Sequence, residues 1–117
     1  MKSDWNILFF TKLNGRSPIE EYLYESESRL QAKTSNSLHL LEEFGPHLSL
    51  PHSKRLSGTD IFELRILGSD STRILYARFS SNTFIILHIF KKKQNKIPRA
   101  ALKLAVNRYS EVLKQNK

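Results

Sequence analysis

The fold is decided by residues 61–90, which read IFELRIL-GSDST-RILYARF-SSN-TFIILHIF. Apolar and charged side chains alternate over residues 61–67, with the two-residue period of a strand that buries one face. Residues 73–79 form a second strand-like run. Residues 83–90 are almost continuously apolar, as expected for a central strand buried on both faces. Short polar segments separate the runs, so the stretch predicts three strands joined by tight turns and paired antiparallel.

Upstream of this stretch, the sequence predicts one further strand and two helices. Residues 5–10 are rich in aromatic and β-branched side chains, which favours a strand. Ser17 and Pro18 are typical of a helix N-cap and of the first helical position, so a first helix is predicted at residues 18–27. Leucines at three- and four-residue spacing predict a second helix at residues 28–44.

Gly45 and Pro46 end the second helix in the expected order, and residues 47–53 are predicted to form a loop. A proline opens a last amphipathic helix at residues 98–113. The element order is therefore β-α-α-β-β-β-α. This order predicts one α+β domain over residues 1–117, with a twisted, mostly antiparallel sheet and helices packed on one face.

Positive charge is concentrated in the second half of the chain. Residues 1–50 contain five Lys and Arg against seven acids, whereas residues 51–117 contain fourteen against four, within a formal net charge of +8. Such an excess is typical of a surface that binds a polyanion, most often nucleic acid, although it also occurs as a plain solubilising surface. The chain has no cysteine, which excludes disulfides and thiolate zinc sites. No apolar run has the length of a signal peptide or membrane span, so a cytoplasmic protein without membrane association is expected.

The sequence contains none of the GxGxxG, P-loop, HExxH or GxSxG motifs, and its four histidines lack metal-ligand spacing. No metal site and no cofactor are predicted. Cations on the predicted strands remain as candidates. Arg65 and Arg73 face each other across a short turn, and Lys92 follows the third strand. If these strands are neighbours, the three cations meet at one end of the sheet, where a bound phosphate would relieve their repulsion. The alternative is that each cation is only a solvated strand residue. Six further basic residues are expected around this site: Lys54, Arg55, Lys91, Lys93, Lys96 and Arg99.

Three other strand residues have both a functional and a structural interpretation. His88 interrupts an otherwise apolar strand. It is either a general acid or base, or a half-buried histidine whose ring is hydrogen-bonded to a backbone carbonyl. Glu63 shares a face with Arg65 and is expected to pair with it or orient it rather than act as a base. Tyr76 fits core packing, with stacking on a nucleobase as the alternative.

Three segments together carry a family resemblance. Residues 54–65 match the pattern KxLxGxxxxELR, residues 73–76 match RxxY, and residues 88–98 match HxFxKKxxKxP. In this order and spacing they resemble the RelE/ParE superfamily, and within it the HigB-like, phage-derived toxins of type II toxin–antitoxin systems. The predicted element order is similar to the RelE-like fold over nearly the whole chain, although the first half matches in pattern only.

The resemblance implies an endoribonuclease toxin that cleaves mRNA, usually on the ribosome, and so inhibits translation and growth. It also implies a helix-turn-helix, HigA-like antitoxin as partner, with operator DNA contacted only through that antitoxin. Carried over by position, Arg65 and Arg73 grip the scissile phosphate and Lys92 is a further active-site cation. RNA supplies its own nucleophile, the 2′-hydroxyl, so this chemistry requires no metal or cofactor. The six further basic residues would hold the RNA backbone.

This sequence departs from the family pattern near its C-terminus. Many relatives have a tyrosine or histidine there as a base or stacking group, whereas this chain has Tyr109 within its last predicted helix and no C-terminal histidine. Either His88 or a lysine takes that role, or the activity is reduced. Two other functions stay open: a non-catalytic RNA-binding protein, and a ParE-like gyrase inhibitor on the same fold.

Overall fold

Five strands and three helices are formed by the residues that the computed structural model describes, namely 5–69, 71–93 and 96–115. In chain order they are β1 (Asn6–Phe9), α1 (Pro18–Tyr24), α2 (Ser28–Phe44), β2 (Ser53–Arg55), β3 (Phe62–Arg65), β4 (Thr72–Ser80), β5 (Thr83–Lys91) and α3 (Arg99–Gln115). The predicted α+β class is confirmed. The other residues of the predicted 1–117 domain lie outside the described part.

The five strands form one mixed sheet in the order β1-β5-β4-β3-β2. β1 pairs in parallel with β5, and the other neighbours are antiparallel. The predicted neighbourhood of the three strands β3, β4 and β5 is therefore confirmed. β5 has a neighbour on each side, and its residues from Thr83 to Leu87 are all buried, as predicted for a central strand.

The strand β2 was not predicted, because the sequence indicated a loop up to residue 53. It contains only three residues, which is too short to show a two-residue period. Pairing with β3 holds it in place, with Ser53 opposite Leu64. In addition, the Ser53 hydroxyl makes a hydrogen bond of 2.5 Å with the hydroxyl of Tyr76 on β4.

The helix ends follow from local side-chain chemistry. Ser17 Oγ accepts a hydrogen bond from the backbone N–H of Glu20, so the predicted N-cap is confirmed. α1 ends at Tyr24, earlier than predicted, and the Ser26 hydroxyl donates to the carbonyl of Tyr22 in the turn that follows. Gly45 ends α2 at a φ of 54°, as predicted, and a Cβ at this position would overlap the Trp5 indole.

Both faces of the central strands are covered. Ile74 to Ala77 are buried in succession, and successive strand residues point to opposite faces. The end of α2 lies on Trp5, which stacks on Phe84. α3 contacts β4 and β5, and its Arg108 lines a pocket with His88, which is on the face of the sheet opposite to that of Tyr76. This refines the predicted layering, which had the helices on one face. No helix in the described part of the chain is long and apolar enough to cross a bilayer.

Candidate anion-binding site

The register of the sheet places three predicted cations on one face. Arg65 on β3 lies directly opposite Arg73 on β4. Arg73 lies opposite Phe90 on β5, and Lys92 follows Phe90 by two residues, which returns it to the same face. Glu63 precedes Arg65 by two residues and shares this face. These four charged residues, Glu63, Arg65, Arg73 and Lys92, are called the cationic cluster below.

A buried carboxylate lies at the centre of the cationic cluster. The Glu63 side chain is 3% exposed, and its Oε2 accepts a hydrogen bond of 3.0 Å from Arg73 Nε. Lys92 Nζ lies 3.9 Å from the same oxygen. Arg73 Nη1 is also fixed, because it donates to the carbonyl of Thr72. The two cations around Glu63 are therefore held in place by a carboxylate that water barely reaches.

The sequence predicted that Glu63 pairs with Arg65, and this prediction is wrong. Within the described residues, the ion pairs of Glu63 are with Arg73 and Lys92. The residue on β4 directly opposite Glu63 is Leu75, and Arg73 lies two residues away on the diagonal of the antiparallel pair. A diagonal neighbour is within reach of a long side chain, so Arg73 contacts Glu63 across the strands.

Arg65 contributes a cation without a compensating carboxylate. Its Nε is buried and has no hydrogen-bond partner, and no ion pair found within residues 5–69, 71–93 and 96–115 includes it. A buried donor left unpaired costs about 1–3 kcal/mol. The cluster thus combines three cations with one carboxylate, an excess that an anion such as a phosphate would neutralise.

His52 lies beside the cluster and was not recognised from the sequence. The Arg65 backbone N–H donates to the His52 carbonyl over 2.8 Å, which extends the β2–β3 pairing by one residue. His52 Nδ1 is buried and, like Arg65 Nε, has no hydrogen-bond partner among the residues described. The only signal in the sequence was the alternation of His52 and Lys54 around the small Ser53, which a predicted loop concealed.

His88 lies on the same face but outside the cluster. In its cross-strand row, Leu75 of β4 separates it from Glu63. Its ring stacks on Phe90 with centroids 5.3 Å apart. Burial, and secondarily the charge of Arg108, lower the pKa of His88 below its ordinary value. The neutral imidazole is therefore favoured, and His88 is half-buried, as one of the two interpretations from the sequence held.

The two tyrosines considered from the sequence have structural contacts. Tyr76 is 2% exposed and bonded to Ser53, which confirms its predicted place in the core. Tyr109 donates its hydroxyl to the carbonyl of Arg78, 2.7 Å away on β4. Burial raises the pKa of Tyr109, and the charge of Asp60 adds to this effect.

The six further basic residues do not all share the cluster's face. Lys54 lies opposite Glu63 and is exposed, so it borders the cluster. Arg55, the next residue, points to the other face and pairs with Asp60 at 3.2 Å. Lys91 lies opposite Thr72, also on that other face. The remaining three are exposed on the segment from β5 into α3: Lys93, Lys96 and Arg99.

A cavity with a volume of about 500 Å³ lies on the face opposite the cluster. It runs between the start of α2 and the turn before β4, and both Arg29 and Lys91 line it. Glu25 and Glu27 line it as well, so its charge is mixed. Lys33 Nζ donates to the carbonyl of Gly68 at its floor. The cavity therefore lacks the cationic excess of the cluster.

Within the described ranges, no group of three or more His, Asp or Glu side chains is placed to hold a metal ion. The chain matches the family model described as "Phage derived protein Gp49-like (DUF891)" over residues 21–110. The match includes every residue of the cationic cluster and its neighbour His52. A comparison with curated proteins gave no match.

Proposed function

The chain belongs to the Gp49-like family of phage-derived proteins, a toxin-like family related to RelE- and HigB-type toxins, and we propose that it is an mRNA endoribonuclease of the HigB-like branch. The observation that carries the proposal is the cationic cluster. Three cations meet on one face of the sheet, two of them are fixed by the buried Glu63, and Arg65 has no counter-charge among the residues that the structure describes. A site of this composition is suited to the extra negative charge of a phosphodiester under attack.

The proposed reaction is internal transesterification of RNA. The 2′-oxygen attacks the adjacent phosphorus and forms a new P–O bond, while the bond from phosphorus to the 5′-oxygen breaks. A base on the protein takes the proton from the 2′-hydroxyl, and an acid delivers a proton to the departing 5′-oxygen. The products are a 2′,3′-cyclic phosphate and a 5′-hydroxyl end. The nucleophile comes from the substrate, so the protein has three tasks: it positions the RNA, stabilises the developing negative charge and moves two protons.

The cluster residues divide these tasks. Arg73 and Arg65 would hold the non-bridging phosphate oxygens, because a guanidinium offers a planar fork of donors. Lys92 would stabilise the charge that builds up on the phosphorane, or protonate the 5′-oxygen. Glu63 is a positioning residue, since it is buried beneath Arg73 and Lys92 and contacts them rather than the surface.

Proton transfer is better placed on His52 than on His88. His52 is the cross-strand neighbour of Arg65, whereas Leu75 separates His88 from Glu63. A neutral imidazole has one nitrogen that accepts a proton and one that carries a proton, so the His52 ring could serve as base and as acid. Lys54, on the same face, would hold an adjoining backbone phosphate, and the three exposed basic residues before and within the start of α3 would extend that track.

The biological setting follows as part of the same proposal. Cleavage of translated mRNA would occur in the cytoplasm and on the ribosome, where rRNA phosphates would meet the exposed basic residues on the face of the cluster. The partner would be a helix-turn-helix antitoxin of the HigA type, and operator DNA would be contacted through that antitoxin alone.

The test is induced expression in a bacterial host with mapping of mRNA 5′ ends, repeated with purified protein and RNA, with and without ribosomes. We expect growth arrest and new 5′-hydroxyl ends. Arg73→Ala should lower the cleavage rate by about 10²–10³-fold, because it removes a fixed donor to the transition state. Arg73→Lys keeps the positive charge next to Glu63 but lacks the planar fork of guanidinium donors, so it separates the contribution of the fork from that of the charge.

Arg55→Ala is the matched control, since Arg55 is a strand arginine on the opposite face. It should cleave as the wild type does. Folded Arg73 variants that cleave at the wild-type rate would overturn the proposal. Tight RNA binding without cleavage would indicate the non-catalytic alternative, and growth arrest with inhibited gyrase and intact mRNA would indicate the ParE-like one.

A further inference from the structure

A second, smaller pocket lies where α1 and α3 meet β5, the strand whose Phe90 is opposite Arg73 of the cationic cluster. Its volume is about 210 Å³, which gives room for one nucleobase. Apolar side chains of α1 and β5 form much of its wall, and His88 and Arg108 supply polar groups. The lining residues are Pro18, Ile19, Tyr22, His88, Ile89 and Arg108.

Arg108 is held rigidly within this pocket. Its Nη1 donates to the Leu87 carbonyl over 2.8 Å, and its guanidinium carbon lies 5.0 Å from the centre of the Phe10 ring. A guanidinium has five N–H donors, so one bond to a carbonyl leaves others for a ligand. Within the described chain, no ion pair with a carboxylate includes Arg108. A fixed arginine of this kind offers a fork of donors to paired acceptor atoms.

His88 complements the arginine and links the pocket to the cluster. A neutral imidazole, which burial favours here, offers one donor and one acceptor. Its ring stacks on Phe90, and Phe90 lies opposite Arg73 of the cluster. His88 and Phe90 are two residues apart on β5, a distance of roughly 7 Å along the strand. A group bound in the pocket would thus lie next to a phosphate bound in the cluster.

We propose that this pocket binds the base of the nucleotide adjacent to the cleaved phosphodiester and selects guanine. The inference rests on the proposed ribonuclease function and adds its base preference. Among the bases, guanine presents two neighbouring acceptors, O6 and N7, that an arginine can grip with two donors. Adenine offers N7 beside a donor amino group, and the pyrimidines lack this edge altogether. The apolar wall would cover the faces of the ring.

The direct test is an NMR titration of the wild-type protein with GMP, AMP, CMP and UMP, with inorganic phosphate as a control. GMP should move the Arg108 Nε–H and His88 imidazole signals, with an affinity roughly ten- to a hundredfold above that of CMP or UMP. Phosphate alone should move the Arg73 signals and leave those of Arg108 in place. Equal affinity for all four nucleotides, or Arg108 signals that do not move, would overturn the proposed binding of guanine in this pocket, whether or not the protein cleaves RNA.

The second measurement compares cleavage of two oligonucleotides that differ only in guanine or adenine beside the cleaved bond. Arg108→Lys keeps the positive charge but loses the fork, so the wild-type preference for guanine should fall to about unity. Arg78→Lys is the matched control, because the Arg78 guanidinium also bonds to backbone carbonyls and lies 5.0 Å from the centre of an aromatic ring, but outside the pocket, and it should keep the preference. A purely structural role of Arg108 would slow both substrates alike and leave the ratio unchanged, which would contradict the proposal. If the wild type leaves both substrates intact, the proposed ribonuclease function is wrong. The NMR titration then shows by itself whether the pocket binds guanine.

Discussion

Two buried polar groups occupy opposite faces of the sheet, one joining β2 to β4 and the other lying on β3, β4 and the end of β5. On one face, Ser53 and Tyr76 are each 2% exposed and joined by a single hydrogen bond of 2.5 Å. On the other face, the equally buried Glu63 holds Arg73 and Lys92, while Arg65 beside them pairs with no carboxylate in the described part of the chain. The first group is neutral and each hydroxyl has its partner. The second is charged and has more cations than it can pair.

The difference separates a stabilising interaction from a binding one. Tyr76 and Ser53 tie the short edge strand β2 to the middle of the sheet, and the aromatic rings of Phe62 and Phe84 enclose them. A satisfied neutral pair in such surroundings contributes to folding and offers nothing to a ligand. The cationic cluster leaves positive charge uncompensated in the free protein, which favours a bound anion. Variants that remove a side chain or a hydroxyl from one group or the other test this contrast.

The largest effect on stability is expected for Glu63→Ala. The substitution leaves Arg73 and Lys92, both only 15% exposed, without their carboxylate. Breaking one partner out of a buried ion pair costs about 3–5 kcal/mol, so the free energy of unfolding should fall by that amount in urea titrations. Asp60→Ala is the control, because it breaks the exposed pair with Arg55, and it should change stability by less than about 1 kcal/mol. A loss no larger than that of Asp60→Ala would show that Glu63 does not hold the cluster together.

A smaller effect is expected for Tyr76→Phe, which deletes one hydroxyl and leaves Ser53 Oγ buried without a partner. The free energy of unfolding should fall by about 1–3 kcal/mol, while the rate of RNA cleavage stays at the wild-type level. Burial also raises the pKa of Tyr76 to about 12, above its ordinary value of about 10. The folded state therefore keeps a proton that the unfolded chain releases, so wild-type stability declines between about pH 10 and pH 12. Tyr76→Phe should lack this part of the decline.

The double variant Tyr76→Phe with Ser53→Ala separates the bond from its surroundings. Because both polar groups are then absent, it should be more stable than Tyr76→Phe alone. If the loss of stability in the double variant equals the sum of the losses in Tyr76→Phe and in Ser53→Ala, the two hydroxyls do not act as a pair. A large fall in cleavage rate for Tyr76→Phe would remove the distinction drawn between the two faces.

The sequence predicted the parts of this arrangement that depend on one strand at a time. Alternation over β3 indicated that Glu63 and Arg65 share a face, and the continuous apolar run indicated that β5 is central. These patterns follow from the two-residue period of a strand, which a single segment displays by itself. The order of β3, β4 and β5 also followed, since short turns bring sequential strands together.

The features that escaped prediction depend on pairing between segments. β2 is too short to show a period, so the position of His52, which directly precedes β2 and lies beside the cluster, was concealed. The partner of Glu63 depends on the diagonal across β3 and β4, and therefore on register. Among the three successive lysines after Phe90, only the register shows that Lys92 shares the face of Arg73 whereas Lys91 lies on the other. The parallel pairing of β1 with β5 likewise has no signal within either strand.

The smallest effect on stability, and the sharpest contrast with Glu63→Ala, is expected for Arg65→Ala. Loss of the arginine stem removes some packing, but it also removes a buried unpaired donor and one of three repelling cations. In phosphate-free buffer the free energy of unfolding should therefore change by less than about 1 kcal/mol, while RNA cleavage falls by about 10²-fold. Phosphate at ten times its dissociation constant should stabilise the wild type and the control Arg55→Ala by about 1.4 kcal/mol, and Arg65→Ala by less than half of that. Should Arg65→Ala instead unfold as readily as Glu63→Ala and respond to phosphate as the wild type does, the charge of Arg65 would serve the fold, and the anion would have to bind elsewhere.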